Sequence, residues 1–148
     1  MIEETLFIIK PDGYEKREQI ISDITARFNI AWTSTFSFEP DLVAKLYPTE
    51  VDKPHYSVLV EYMLETPCVL GIIKGESVIK DFFEFAGRCL NPKECAEDTL
   101  RYRYHQRIDR TKGGGHIIKN VIKRSKSKEE FEFYIRVFKS YNIVPWQP

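Results

Sequence analysis

The sequence predicts an α+β fold: one domain over residues 1–148, with a four-stranded antiparallel sheet covered by helices. Three observations carry this prediction. Apolar or β-branched runs of strand length recur four times, and stretches of helical periodicity separate them. At 148 residues the chain is long enough to bury one sizeable core. At 43% hydrophobic and 14% aromatic residues it is too apolar to be disordered.

Thr5 to Lys10 has the pattern of a buried strand, and Pro11-Asp12-Gly13 after it is a strong turn signal. A helix is expected from about Lys16 to Phe28, with Ile20, Ile21, Ile24 and Phe28 on one face. Ile30 to Phe38 alternates as a second strand, with Trp32, Ser34, Phe36 and Phe38 on one side. Pro40-Asp41 opens a short helix to Tyr47, and Pro54 opens another to about Leu64. Cys68 to Ile73 is a third, buried strand. Glu76 to Ala86 reads as a helix that stops near Gly87. From Asn91 to Gly115 the chain is polar and basic and shows no clear period. His116 to Lys123 reads as a fourth strand. A last helix, capped by Ser125 or Ser127, runs to about Lys139 with Phe131, Tyr134, Ile135 and Phe138 at helical spacing. The order β-α-β-(αα)-β-α-β-α places the helices on one face of the sheet.

Composition narrows the function classes. No stretch stays apolar for 18 residues, so no membrane span is expected, and the acidic start that runs straight into a strand does not read as a secretory leader. Cys68, Cys89 and Cys95 are odd in number and lack Cys-x-x-Cys spacing. That argues against a zinc site or a disulfide framework and for an intracellular, cytoplasmic setting. Lys+Arg and Asp+Glu balance at 22 each. The balance hides an asymmetry, because residues 101–128 hold ten Lys/Arg and one acid, Asp109. Such a segment sets up a positive potential suited to a nucleotide, a nucleic acid or an acidic partner.

Several stretches resemble the nucleoside diphosphate kinases, and together they span nearly the whole chain. Lys10-Pro11-Asp12-Gly13 follows the first strand as it does there. The spacing from Tyr47 to Lys53-Pro54-His55-Tyr56 matches that family's Tyr…Arg-Pro-Phe-Phe, and Leu59 to Met63 follows in register before Gly75. Asn91-Pro92, Thr99-Leu100-Arg101, Asn120, Ser125 and Ser127 complete the match. Where the family pattern Asn-x-x-His-Gly-Ser-Asp-Ser carries the catalytic histidine, this chain has Lys123.

The resemblance implies a ferredoxin-like sheet, a homo-oligomer, and two-step phosphoryl transfer through a histidine with Mg²⁺ on the phosphates. Carried over residue by residue, Lys10 would contact the transferred phosphate and Tyr47 would orient the nucleophile and Lys10. Arg101 would hold phosphates, Asn120 would face the sugar, and His55 or Tyr56 would stack on a base. Phe83 and Leu90 fall where the family keeps an arginine and a threonine for phosphate, and the segment between Arg101 and Asn120 is longer.

The residues suggest three functions. The first is a catalytically degenerate member that binds nucleoside di- or triphosphates through Lys10, Tyr47, Arg101, Asn120 and Lys123, with Mg²⁺ present only alongside the nucleotide, or that serves as an oligomeric module. An ordinary lysine is neutral in about 1 in 2,500 molecules at pH 7, so a charged Lys123 suits holding a phosphate better than attacking one. The second is an active kinase whose nucleophile is Lys123 or His116. If extended, the seven-residue step between those two spans about 23 Å and puts them on opposite faces. The third is a nucleic-acid module using the interleaved Arg101-Tyr102-Arg103-Tyr104-His105-Gln106-Arg107.

Overall fold

Strand β1 (Ile2–Ile9) lies inside the sheet, and its last five residues are all buried because both of its faces are covered. The structure, a computed structural model, describes residues 1–105 and 117–144. Helices α1 (Pro11–Tyr14) and α2 (Arg17–Thr25) follow, then strand β2 (Asn29–Phe36). Helices α3 (Pro40–Leu46) and α4 (Tyr56–Met63) form a hairpin-like pair before strand β3 (Cys68–Glu76). Helix α5 (Val78–Ala86), a short 3-10 helix (Pro92–Glu94) and helix α6 (Leu100–Tyr104) precede strand β4 (Ile122–Arg124) and helix α7 (Lys128–Ser140). The sheet order is β2-β3-β1-β4, antiparallel throughout.

The expected helices on one face are instead helices on both. One core cluster joins Leu6, Ile8, Leu70 and Ile72 to the α3–α4 pair and to Phe131, Tyr134 and Phe138 of α7. The other joins Phe7, Ile9, Val69 and Ile73 to Ile20 and Ile24 of α2 and to Phe82 and Phe85 of α5. Alternate residues of β1 and β3 therefore serve opposite cores, which is why both strands read as continuous apolar runs. Strand β2 sits at the edge and alternates exposed with partly buried residues, with Trp32, Ser34 and Phe36 on the inward side.

The expected fourth strand, His116 to Lys123, shrinks to Ile122–Arg124. His116 lies outside the described residues, residues 117–120 are not strand, and Val121 turns the chain with a φ of 72°. The kink at Val121 interrupts any continuous strand between residues 117 and 123. Ser127, not Ser125, caps α7: its hydroxyl accepts from the Glu130 N–H at 3.1 Å.

Candidate functional site

The site grows from the turn after β1. The Lys10 main-chain N–H donates to the Val121 carbonyl at 2.9 Å, and the Val121 N–H donates to Asp12 Oδ2 at 2.9 Å. The Tyr62 hydroxyl donates to the other Asp12 oxygen. Gly13 lets the two segments close, since a Cβ there would sit 3.0 Å from both the Val121 Cγ1 and its carbonyl oxygen. Val121 is β-branched and left-handed, a backbone state that costs about 1–2 kcal/mol for an L-residue. Bonds on both sides of its backbone hold it there. The kink delivers Lys123 opposite Ile8 and Arg124 opposite Phe7 on the edge of β1.

Around this kink the basic side chains converge. Lys10 Nζ donates to Asn120 Oδ1 at 2.7 Å, and Asn120 Nδ2 donates to the Leu90 carbonyl at 3.2 Å. Arg101 is buried; its Nε and one Nη donate to the Ile122 carbonyl at 3.2 and 2.9 Å, and its other Nη donates to Cys89 O at 2.8 Å. Gly87 makes room for it, with a φ of 125° and a space where a Cβ would meet the Arg101 Cβ at 2.9 Å. Arg124 donates to Gly87 O at 3.0 Å and Arg88 O at 3.1 Å, and its guanidinium lies 4.3 Å from the Phe83 ring centroid. Four consecutive carbonyls, 87 to 90, thus accept from Arg124, Arg124, Arg101 and Asn120.

Lys123 is held differently. Its half-buried ammonium lies 4.4 Å from the Tyr47 ring centroid and 4.7 Å from that of Tyr134, with a face of each ring toward it. The Tyr47 hydroxyl is buried without a hydrogen-bond partner, as is the Ser125 hydroxyl.

Concentrated positive charge sets the electrostatics. Burial, then Lys123 and Arg101, hold the Lys10 amine well below its ordinary pKa, with Asp12 pulling the other way. Burial also lowers Lys123 to about 8; Glu130 opposes this, while Arg124, Arg101 and Lys126 add to it. Burial and then Arg124 bring Arg101 down to about 9. Burial likewise lowers Arg124. Burial pushes the Tyr47 hydroxyl far up, so it stays a neutral phenol.

Of the residues singled out in the sequence, Lys10, Tyr47, Arg101, Asn120 and Lys123 therefore meet around one centre. His55 and Tyr56 stand at the start of α4, where His55 Nε2 bonds Glu50 Oε2 at 2.7 Å. Sequence reading missed Tyr62, Tyr134, Arg124 as a structural anchor, and Glu130. Only the last left a signal: Ser127 followed three residues later by Glu130 is a capping-box pattern. In the described part of the basic 101–128 segment, Arg103, Lys126 and Lys128 are exposed. Arg101 is buried, and Arg103 and Tyr104 both bond Asp23 of α2. Among the described residues, no group of three His, Cys, Asp or Glu side chains converges to hold a metal.

Comparison with known proteins decides the family. The sequence profile described as "Nucleoside diphosphate kinase" matches residues 3–143. The chain belongs to the nucleoside diphosphate kinase family. It is 33% identical to the nucleoside diphosphate kinase of Streptococcus agalactiae over 108 residues, 71% of this chain and 78% of that protein. It is 29% identical to that of Coxiella burnetii over 148 residues, 97% of each chain. The Aquifex aeolicus nucleoside diphosphate kinase structure matches at a TM-score of 0.76 and 29% identity, covering 97% of this chain and all of that one. A halophilic nucleoside diphosphate kinase from Halobacterium salinarum, in complex with CDP, shares the fold at a TM-score of 0.77 and 20% identity. Family membership and the ferredoxin-like sheet are thereby established. No helix among the described residues is long and apolar enough to cross a membrane.

Proposed function

We propose that this chain is a catalytically degenerate member of its family that binds nucleoside di- and triphosphates without forming a phosphoenzyme. One observation carries the reading: Lys10, Arg101, Lys123 and Arg124 gather in one buried centre, where burial first and then neighbouring cations lower the pKa of Lys10, Arg101 and Lys123, with Asp12 and Glu130 the only carboxylates among the causes that oppose it. A cluster that disfavours its own charge is relieved by an arriving polyphosphate. Lys123 stands at the position of the family's nucleophilic histidine, and it acts as a cation that holds phosphate. Lys10 is kept in place by Asn120, and two of the five Arg101 N–H donors make no bond among the described residues. His55 or Tyr56 supplies the stacking surface for the base. Mg²⁺ fits this site only as a companion of the nucleotide, held mainly by phosphate oxygens. A homo-oligomer and a cytoplasmic location belong to the same proposal; the three cysteines are free thiols, which suits a reducing compartment.

A second reading has one observation in its favour. A Lys123 pKa of about 8 leaves about a tenth of the amine neutral at pH 7, far more than an ordinary lysine. A phosphoryl-lysine kinase would use that fraction. The same chemistry works against it, because the negative charge of a bound triphosphate restores the ammonium just when a lone pair is needed. The nucleic-acid reading is disfavoured by the burial of Arg101 and by the bonds of Arg103 and Tyr104 to Asp23.

The test is incubation with γ-labelled ATP and Mg²⁺, followed by a search for acid-labile phosphate on the protein, with calorimetric titration of ADP beside it. ADP binding without label is the expected result. Label on Lys123 that chases onto added diphosphate would make the chain a kinase, and absence of any nucleotide binding would end the proposal altogether.

A further inference from the structure

The carbonyls of residues 87–90 hold three site side chains, and the same loop carries two cysteines. Cys89 is partly exposed and Cys95 is buried. Both line one cavity of about 630 Å³ between α5 and the loop, together with Arg88 and Asp98. The Cys95 thiol donates to Cys89 O at 3.3 Å and to Asn91 O at 3.8 Å, and burial first, with the neighbouring Cys89 side chain adding to it, pushes the Cys95 thiol up. The Cys89 carbonyl is the same oxygen that receives Arg101 Nη1 at 2.8 Å. Cys95 Sγ also lies against Gly87, 3.0 Å from where a Cβ would stand, and Gly87 O receives Arg124. The third cysteine, Cys68, is fully buried in strand β3 and belongs to the other core.

We propose that Cys89 and Cys95 form a peroxide-responsive dithiol whose oxidation to an intramolecular disulfide resets the loop that positions Arg101 and Arg124. Cys89, the accessible partner, attacks the peroxide; an S–O bond forms, the O–O bond breaks, and one water leaves as Cys89 becomes a sulfenic acid. The Cys95 sulfur then attacks the Cys89 sulfur. The S–S bond forms, the S–O bond breaks, and the departing hydroxide takes the Cys95 proton as a second water. Two thiols lose two electrons and two protons, and one peroxide is reduced. Cross-linking removes the Cys95 S–H donor from Cys89 O and turns both side chains toward each other. The carbonyl on which Arg101 rests moves with them. A change of phosphate affinity on oxidation rests on the function proposed above; the cross-link itself does not.

The experiment treats the whole protein with equimolar hydrogen peroxide and reads intact mass, the non-reducing peptide map, and the Arg Nε–H signals by NMR. The expected result is a loss of about 2 Da, a Cys89–Cys95 cross-linked peptide reversed by dithiothreitol, and shifted Arg101 and Arg124 signals. Loss of one charge-assisted bond would then weaken ADP binding about tenfold or more. Cys89→Ser, at the more exposed position, should abolish the mass change, and Cys95→Ser is the second check. A cross-link through Cys68 or between molecules, or oxidation that stops at sulfinic acid, would overturn the dithiol. Formation of the disulfide with unmoved arginine signals would overturn the coupling. If the cross-link forms and the arginines shift but ADP never binds in either state, the dithiol stands and the nucleotide proposal falls.

Discussion

The two lysines of the site, Lys10 after β1 and Lys123 in β4, reach the same centre by different physics. Lys10 sits in a hydrogen-bonded frame, with its amine on Asn120, its backbone on Val121 and the Asp12 carboxylate beside it. Lys123 has two ring faces, and its amine makes no hydrogen bond among the described residues. A hydrogen bond fixes direction, whereas a cation–π contact fixes approximate place and leaves the N–H groups for a ligand. The β1–α1 turn is therefore a positioning device. The β4–α7 entry supplies charge, and its charge is the cheaper of the two to remove.

The largest effect is expected from breaking the frame itself. Asp12→Ala would leave the buried Val121 N–H and the Tyr62 hydroxyl unpartnered while Val121 stays in its strained conformation. A loss of about 2–4 kcal/mol in urea unfolding is expected. Asp12→Asn, which can still accept at one oxygen, should lose less. Equal losses for the two variants would mean that the carboxylate's charge, not its acceptors, holds the turn.

Removing each cation separates positioning from charge. Lys10→Met and Lys123→Met should each weaken ADP binding by about ten- to a hundredfold, the worth of a charge-assisted bond. Their stabilities should diverge. Replacing a buried cation by an apolar side chain of similar length is often neutral or stabilising. Lys123→Met leaves nothing unpaired, whereas Lys10→Met orphans Asn120 Oδ1 in a buried site. Lys123→Met should therefore be the more stable variant by about 1 kcal/mol or more. The reverse order would show that the ring faces hold Lys123 more tightly than Asn120 holds Lys10.

This contrast also explains what the sequence could and could not reveal. Lys10, Tyr47, Arg101 and Asn120 could be singled out through the resemblance to the family, and the structure brings them together, while the strands were legible from apolar runs. Asp12 was visible only as a turn residue; its acceptor role depends on Val121, 109 residues away. Tyr62 and Tyr134 looked like ordinary residues of buried helix faces, since nothing local marks a ring that will face an ammonium from another element. The run from His116 to Lys123 was overread as a strand because its β-branched residues are apolar for the core, and the kink at Val121 comes from tertiary bonds that override a β preference. The covering of both sheet faces was missed for a related reason. Alternation cannot be seen in strands buried on both sides.

Changing pH sharpens the comparison without changing a residue. In the folded chain Lys123 titrates near 8, below its ordinary 10.5, so between those values the unfolded state binds more protons. Stability should then rise as pH increases from about 8 toward 10.5, and the penalty should be complete below 8. Ligand affinity should move the other way. A polyphosphate favours the ammonium, so ADP binding should weaken as pH passes upward through 8. In Lys123→Met both slopes should flatten, with a residual slope from Lys10, whose pKa is also lowered. Unfolding curves and titrations at pH 7, 8 and 9 read this directly, and unchanged slopes in the variant would assign the dependence to Lys10 or Arg101.

The smallest effect isolates the kink that joins the two lysines. Val121 is fully buried, so truncation removes packing, yet its φ of 72° favours glycine. In ordinary strand or helix glycine is less stable than alanine, because its unfolded chain has more freedom to lose. Here the order should invert. Val121→Gly and Val121→Ala remove nearly the same side chain, but only alanine keeps the left-handed cost of about 1–2 kcal/mol. Glycine's extra unfolded-state entropy offsets part of this, leaving Val121→Gly the more stable by about 0.5–1 kcal/mol. An alanine variant as stable as the glycine one would mean that the backbone relaxes once the β-branch is gone. The kink would then be imposed by the Val121 side chain packed on Gly13, not by the bonds from Lys10 and Asp12.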